Sequence, residues 1–214
     1  MPETVSSSRE SAGANPVSIR LHQGLLAAYC VLWTALAIAP IDRRDWLLEN
    51  ILAVLLFGLL IGTYRRFRFS DRSYVLIVLF MALHAVGAHY TYEHVPFGNW
   101  MQQALDLPRN HFDRLTHAAF GLLLTYPVRE LFMRLAHVRG VWSHYFALTT
   151  VVAFSGLFEI LEAWVAQIVS PELGALYLGT QGDIWDAQQD MTAVFAGALA
   201  CILLTAIVQR PPGR

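Results

Sequence analysis

Lysine is absent from this chain, and all 15 of its basic residues are arginine. A lysine nucleophile, a Schiff base and the lysine of a phosphate-binding loop are therefore excluded. Charge of either sign is scarce, at 14% of 214 residues, where a soluble domain carries about a quarter. Cysteine is scarcer still: Cys30 and Cys201 lie alone inside apolar runs. That placement excludes a disulfide framework and a zinc–thiolate site. Also missing are a G-x-x-x-x-G-K-[ST] loop, a G-x-G-x-x-G turn and a G-x-S-x-G elbow around Ser155. No basic patch of the kind that tracks nucleic acid stands apart from the apolar runs.

What is abundant is apolar surface, 56% of the chain. Long apolar runs recur over about 21–40, 46–64, 73–90, 113–135, 142–169 and 191–209. A bilayer core of about 30 Å needs about 20 helical residues, and lipid forces each spanning segment to satisfy its own backbone. The runs are continuous rather than alternating, which excludes a β-barrel. The expected fold is thus all-α: a polytopic integral membrane bundle of six transmembrane helices with both termini cytoplasmic. Residues 1–19, rich in Ser, Ala, Gly and Pro, read as a disordered cytoplasmic tail. Residues 20–210 form the transmembrane domain, and 211–214 a second cytoplasmic tail. Ala37-Ile38-Ala39 fits a signal-cleavage pattern, but the polar leader before that run and Pro40 after it favour a retained helix.

Arginine orients the bundle. With the N-terminus inside, Arg9, Arg20, Arg65, Arg66, Arg68, Arg72, Arg129, Arg134, Arg139, Arg210 and Arg214 fall on the cytoplasmic side. Only Arg43, Arg44, Arg109 and Arg114 remain outside, as the positive-inside rule requires. The two long outer loops, about 91–112 and 170–190, hold Pro, Gly and aromatic residues and read as ordered segments at headgroup level.

The acids are distributed the opposite way: all but Glu3, Glu10, Asp71 and Glu130 fall outside or in the outer part of the membrane. Asp113 and His117 open the fourth run at spacing i, i+4, which places both on one helical face. Glu159 and Glu162 share a face of the fifth run, Glu162 about 12 Å deep at ~1.5 Å per residue. Asp183, Asp186 and Asp190 lead into the sixth at i, i+3, i+7. His84 and His89, at the outer end of the third run, are possible additional members. Acids inside a bilayer are costly, at about 2.5–3.5 kcal/mol for Asp at a helix centre. They persist where they face a cavity, share protons, or bind a cation. Oxygen-rich sites with one or two imidazoles suit Mg²⁺, Mn²⁺ or Ca²⁺, and also Zn²⁺. Set against this are structural readings: Asp113 and Asp190 as helix N-terminal charges, Asp183 and Asp186 as solvated loop acids, His84 and His89 as interfacial residues.

Three segments carry a family resemblance. They are His84-Ala85-Val86-Gly87-Ala88-His89-Tyr90-Thr91-Tyr92, Arg109-Asn110-His111-Phe112-Asp113-Arg114-Leu115-Thr116-His117, and Tyr177-Leu178-Gly179-Thr180-Gln181-Gly182-Asp183-Ile184-Trp185-Asp186-Ala187-Gln188-Gln189-Asp190-Met191. In these the chain resembles the bacterial YjdF-like inner-membrane proteins over about residues 35–208, departing only at permissive positions such as Gln189, where Lys is expected. The order of D-x-x-x-H, acids in the next helix and acids ahead of the last is more loosely similar to VanZ-like membrane proteins. The resemblance implies a multi-pass protein of the bacterial inner membrane and a motif set, without a reaction.

The function expected from the residues is a metal-dependent hydrolase or transferase acting on a lipid or lipid-linked envelope substrate at the extracytoplasmic face. Glu159, Glu162, Asp183, Asp186 and Asp190 would hold one or two divalent cations, and His117, oriented by Asp113, would act as general acid and base. The competing classes are a proton- or cation-coupled transporter, which needs the same buried carboxylates, and a non-catalytic membrane scaffold. No inverted repeat supports the transporter.

Overall fold

In the computed structural model, which describes residues 16–208, every regular element is a helix. The eight are α1 (Pro16–Leu36), α2 (Arg43–Thr63), α3 (Asp71–His89), α4 (Pro96–Ala104), α5 (Phe112–Leu135), α6 (Val141–Ile168), α7 (Pro171–Leu178) and α8 (Asp186–Val208). Residues 1–15 and 209–214 lie outside the described residues, and with them most of the expected N-terminal tail and all of the C-terminal one.

Four helices, α2, α3, α6 and α8, are long and apolar enough to cross a membrane by length and composition. Their outward faces carry large apolar side chains, among them Leu55, Leu59, Phe154, Trp164, Leu203 and Leu204. Such a surface suits lipid rather than water. The other two long helices are more polar. The first turns of α1 hold Arg20 and His22, while α5 holds Asp113, Arg114, Arg129, Glu130 and Arg134.

The six long helices run in alternating directions. His22 meets Asp71 at one end and His89 meets the Leu36 carbonyl at the other, so α1 and α3 are parallel, with α2 returning between them. Ser70 meets Glu130, and Arg129 meets Ser143, so α5 opposes both α3 and α6. One end of the bundle thus gathers Asp42, Asp45, Glu49, Asp113, Glu159, Glu162 and the 183–190 acids; we call it the acid end. The opposite, basic end gathers Arg20, Arg65, Arg66, Arg68, Arg72, Arg129, Arg134 and Arg139.

Local chemistry places the boundaries. Asp42 caps α2 by accepting from the amides of Arg44 and Asp45, at 2.8 and 3.0 Å. Ser70 and Ser170 cap α3 and α7 in the same way. The segments expected as ordered outer loops contain two short helices, α4 and α7. Each starts with proline at its first position, where the missing N–H costs nothing. α1 ends at Leu36, before the expected limit at Pro40, because Ala39 turns the chain with φ 49°.

The closest helix pair is α5 and α8, and two glycines explain it. A Cβ at Gly121 would collide with the Val194 carbonyl, and one at Gly197 with the Ala118 carbonyl. Small residues let two backbones touch in this way inside a membrane bundle. His117 precedes Gly121 by one turn, and Asp190 precedes Val194 by one turn. The crossing therefore brings His117 and Asp190 face to face.

Candidate functional site

Two loops at the acid end hold the site in place. Asn110 fills the space left by Gly98 and donates through Nδ2 to the Glu93 and Val95 carbonyls and to Asn99 Oδ1, at 3.0, 3.1 and 2.8 Å. Its Oδ1 accepts from the Phe112 amide at 3.0 Å, which caps the start of α5. The Gln181 side chain spans both backbone groups of Asn110, accepting from the amide at 3.1 Å and donating to the carbonyl at 3.0 Å. Gln181 adopts φ 47°, between Gly179 at 58° and Gly182 at 87°, so the turn before α8 depends on left-handed backbone. Arg109 adds a charged clamp: its guanidinium donates to the Thr180 carbonyl at 2.8 Å, the Gly179 carbonyl at 3.2 Å and the Asp186 carboxylate.

The acids named from sequence divide into two groups. Asp183 and Asp186 are ion-paired with arginines: Arg114 binds Asp183 and lies 3.3 Å from Asp186, which Arg109 also binds. The Trp185 amide and Arg114 beside it hold the Asp183 carboxyl below the usual carboxylate range. His111, at the start of α5, is held below the usual histidine range by burial and then by Arg114 and Arg109. These two acids thus anchor the 183–190 segment to α5.

The second group converges. Ligand atoms of Asp113, His117 and Asp190 all lie within 4.8 Å of one another. His117 Nε2 is 3.6 Å from Asp113 Oδ1 and 3.7 Å from Glu159 Oε1. These separations are longer than hydrogen bonds. With metal–ligand bonds of ~2.0–2.6 Å, two ligands of one divalent cation lie ~3–5 Å apart, a range that includes these separations. Asp190 is 1% exposed, yet its Oδ1 has no hydrogen-bond partner; the nearest cation, Arg114 Nε, is 3.9 Å away. Glu159 Oε1 is likewise buried without a partner. Leaving such atoms unpaired in a buried setting is costly.

Glu162 lies three residues nearer the acid end on α6 and is buried. The expected extra histidines play other parts. His84 pairs its Nδ1 with the Tyr92 hydroxyl at 2.6 Å and its Nε2 with the Glu49 carbonyl at 3.2 Å. His89 Nδ1 meets the Leu36 carbonyl at 2.7 Å, tying the end of α1 to α3. Gly87 lets the Tyr92 ring lie flat on α3, which carries the hydroxyl inward. Burial, together with Glu49, Asp113, Glu162 and Asp45, pushes the Tyr92 hydroxyl well above its usual range, and burial with Glu49, Glu162 and Asp45 does the same to Tyr177.

Sequence reasoning overlooked four of these residues. Asp45 and Glu49 share one face of α2 at i, i+4, the same spacing that marked Asp113 and His117. Both are buried, and each keeps a carboxylate oxygen unpartnered. Arg109 and Arg114 were assigned only a topological role. Their acidic partners lie 77 and 69 positions away, beyond any local pattern.

Comparison with known proteins agrees with a membrane protein. The family described as Predicted membrane protein (DUF2238) matches residues 21–211. The inner membrane protein YjdF of Escherichia coli (strain K12) is 36% identical over 166 residues, covering 77% of this chain and 79% of that protein. No solved structure matches.

Proposed function

From the premise that the chain belongs to the predicted membrane protein family DUF2238, we propose that it is a six-span protein of the bacterial inner membrane whose acid end opens to the extracytoplasmic side and binds a divalent cation. The alternating directions of the six long helices support six crossings. The crowding of arginine at the basic end supports cytoplasmic termini. The two more polar helices, α1 and α5, cross beside the others, with α5 shielded by α3, α6 and α8. Phe97 and Trp100 on α4, and Ile184 with Trp185 before α8, are exposed at the acid end, at the level where aromatic residues meet headgroups.

The observation that carries the reading is the convergence of Asp113, His117 and Asp190 within 4.8 Å around an unpartnered Asp190 oxygen. Two carboxylates and one imidazole suit Mg²⁺, Mn²⁺ or Zn²⁺. Glu159, 3.7 Å from His117 with a free oxygen, would serve as the proton acceptor. That moves the acid–base role from His117, which becomes a ligand, to Glu159. A cation there would supply water activation and charge stabilisation, and the reaction is hydrolysis or transfer of a phosphoryl or acyl group on a lipid or lipid-linked envelope substrate. Arg109 and Arg114 keep the pocket's rim in place through Asp183 and Asp186.

Metal analysis of the purified full chain tests this. About one divalent ion per chain, reduced at least tenfold by Asp190→Asn, is the expected result. Absence of bound metal from both proteins, after incubation with Mg²⁺, Mn²⁺ and Zn²⁺ in turn, sinks the reading.

A further inference from the structure

The turn that joins α2 to α3 opens the most basic segment of the chain, residues 64–72. Arg65 and Arg66 are exposed, Arg68 is half-buried, and Arg72 in the first turn of α3 is exposed. The acids of the same end are already taken, Glu130 by Arg134 and Asp71 by His22 at 2.9 Å. Among the described residues none of these four arginines forms an ion pair, and Arg68 Nε has no hydrogen-bond partner.

Contacts fix the turn beneath these charges. The amides of Arg66 and Phe67 both donate to the Thr63 carbonyl at 2.8 Å, which closes the end of α2. The rings pack on one another: Phe67 on Phe69 with centroids 4.8 Å apart, and Phe69 and Tyr64 each 5.9 Å from Tyr74. The Tyr64 hydroxyl meets His22 of α1 at 2.8 Å, and Arg134 of α5 donates to the Arg68 carbonyl at 2.6 Å. Guanidinium carbons lie over these and nearby rings, Arg68 4.6 Å from the centre of Tyr64, Arg134 4.6 Å from Phe67 and Arg72 5.5 Å from Tyr126. A planar guanidinium can hold a ring with its face and a phosphate with its edge, a combination closed to lysine.

We propose that the 64–72 segment docks on acidic phospholipid headgroups, with Arg65, Arg66, Arg68 and Arg72 binding their phosphate diesters. Position selects a lipid as the partner. Leu55, Leu59 and Ile61 are exposed on α2, a helix long and apolar enough to span. The apolar face therefore runs to within about 6 Å of Arg65, one helical turn. The arginines continue that face into the layer where headgroup phosphates lie. Charge selects the acidic lipids among them, since uncompensated arginines beside a span attract an anionic leaflet. This surface lies at the opposite end of α2 from the acid end, and its binding of lipid does not depend on a cation there.

The purified full chain in neutral detergent, titrated with phosphatidylglycerol and separately with phosphatidylcholine, tests the proposal by native mass spectrometry. The expected result is a preference of about fivefold for phosphatidylglycerol, lost as salt rises to about 0.5 M. Arg65→Gln with Arg66→Gln, at two exposed side chains, lowers the preference to about twofold with the thermal transition unchanged. Adding Arg68→Gln and Arg72→Gln removes it. Arg20→Gln with Arg139→Gln takes equal charge from the same end and leaves the preference as it was. Equal binding of the two lipids by the parent chain overturns the proposal. So does a preference that survives in the Arg65 and Arg66 pair variant, or one that the Arg20 and Arg139 pair weakens as much.

Discussion

The two ends of the bundle satisfy their carboxylates in opposite ways. At the basic end Glu130 accepts from the Ser70 amide at 2.8 Å, the Ser70 hydroxyl at 2.7 Å, the Ser73 hydroxyl at 2.5 Å and Arg134 at 2.5 Å. Asp71 accepts from Ser18 at 3.0 Å and meets His22 at 2.9 Å, while the far nitrogen of His22 meets the Tyr64 hydroxyl at 2.8 Å. No oxygen of these acids is left over. At the acid end Asp45, Glu49, Glu159 and Asp190 each keep an oxygen buried and unpartnered. A protein that saturates one set of acids has the means to saturate the other. On the proposed reading, the difference separates a basic end whose acids are architecture from an acid end that binds a cation.

That contrast can be broken first at the acid end's arginine clamp. Arg109→Gln leaves Asp186 buried with only the more distant Arg114, so stability falls by about 3 kcal/mol, read as thermal unfolding in detergent. A loss below about 1 kcal/mol would mean that Arg109 is not the pin that the loops require. Next comes Glu130→Gln, which replaces a four-fold acceptor by a group that also has to place two N–H donors. Destabilisation of about 2 kcal/mol follows, without any change in metal content.

The sharpest test is one of sign. In metal-free protein, Asp190→Asn and Glu159→Gln remove unpaired acids, so stability holds or rises by about 1 kcal/mol. The same substitutions abolish the stabilisation that added Mn²⁺ gives the parent chain. Destabilisation on the scale of Glu130→Gln would erase the distinction between the two ends. The smallest effect concerns pH. His111 has a folded-state pKa below its usual value of about 6.5, so the folded chain binds fewer protons than the unfolded one as pH falls through that region. Stability contributed by the neutral ring is present above pH 6.5 and lost below it. Melting curves between pH 7.5 and 5 fall less steeply in His111→Asn than in the parent chain.

Much of this was legible in the residues. The six apolar runs each became a helix, since period and length are local properties. The ends moved by a few residues where a turn such as Ala39 intervened, and α4 and α7, at 9 and 8 residues, are too short to show a period. In the site, Asp113, His117 and Asp190 were visible because each opens a helix where a charge is conspicuous against apolar sequence. Asp45 and Glu49 carried the same spacing, but beside Asp42, Arg43 and Arg44 they blended into a polar helix end. The pairing of Arg109 and Arg114 with acids about seventy positions away belongs to the tertiary fold, and no periodicity reports it.

The glycine contact between α5 and α8 acts as a gauge for the pocket above it. Where Gly121 touches the Val194 carbonyl, the two helices are as near as backbones can come, and one turn farther on that spacing sets the gap between His117 and Asp190. On the proposed reading, the aperture is tuned by hydrogen atoms that touch no ligand. A methyl group at residue 121 would work as a shim, prising the jaws apart and shifting preference from small ions toward large ones with every ligand still in place.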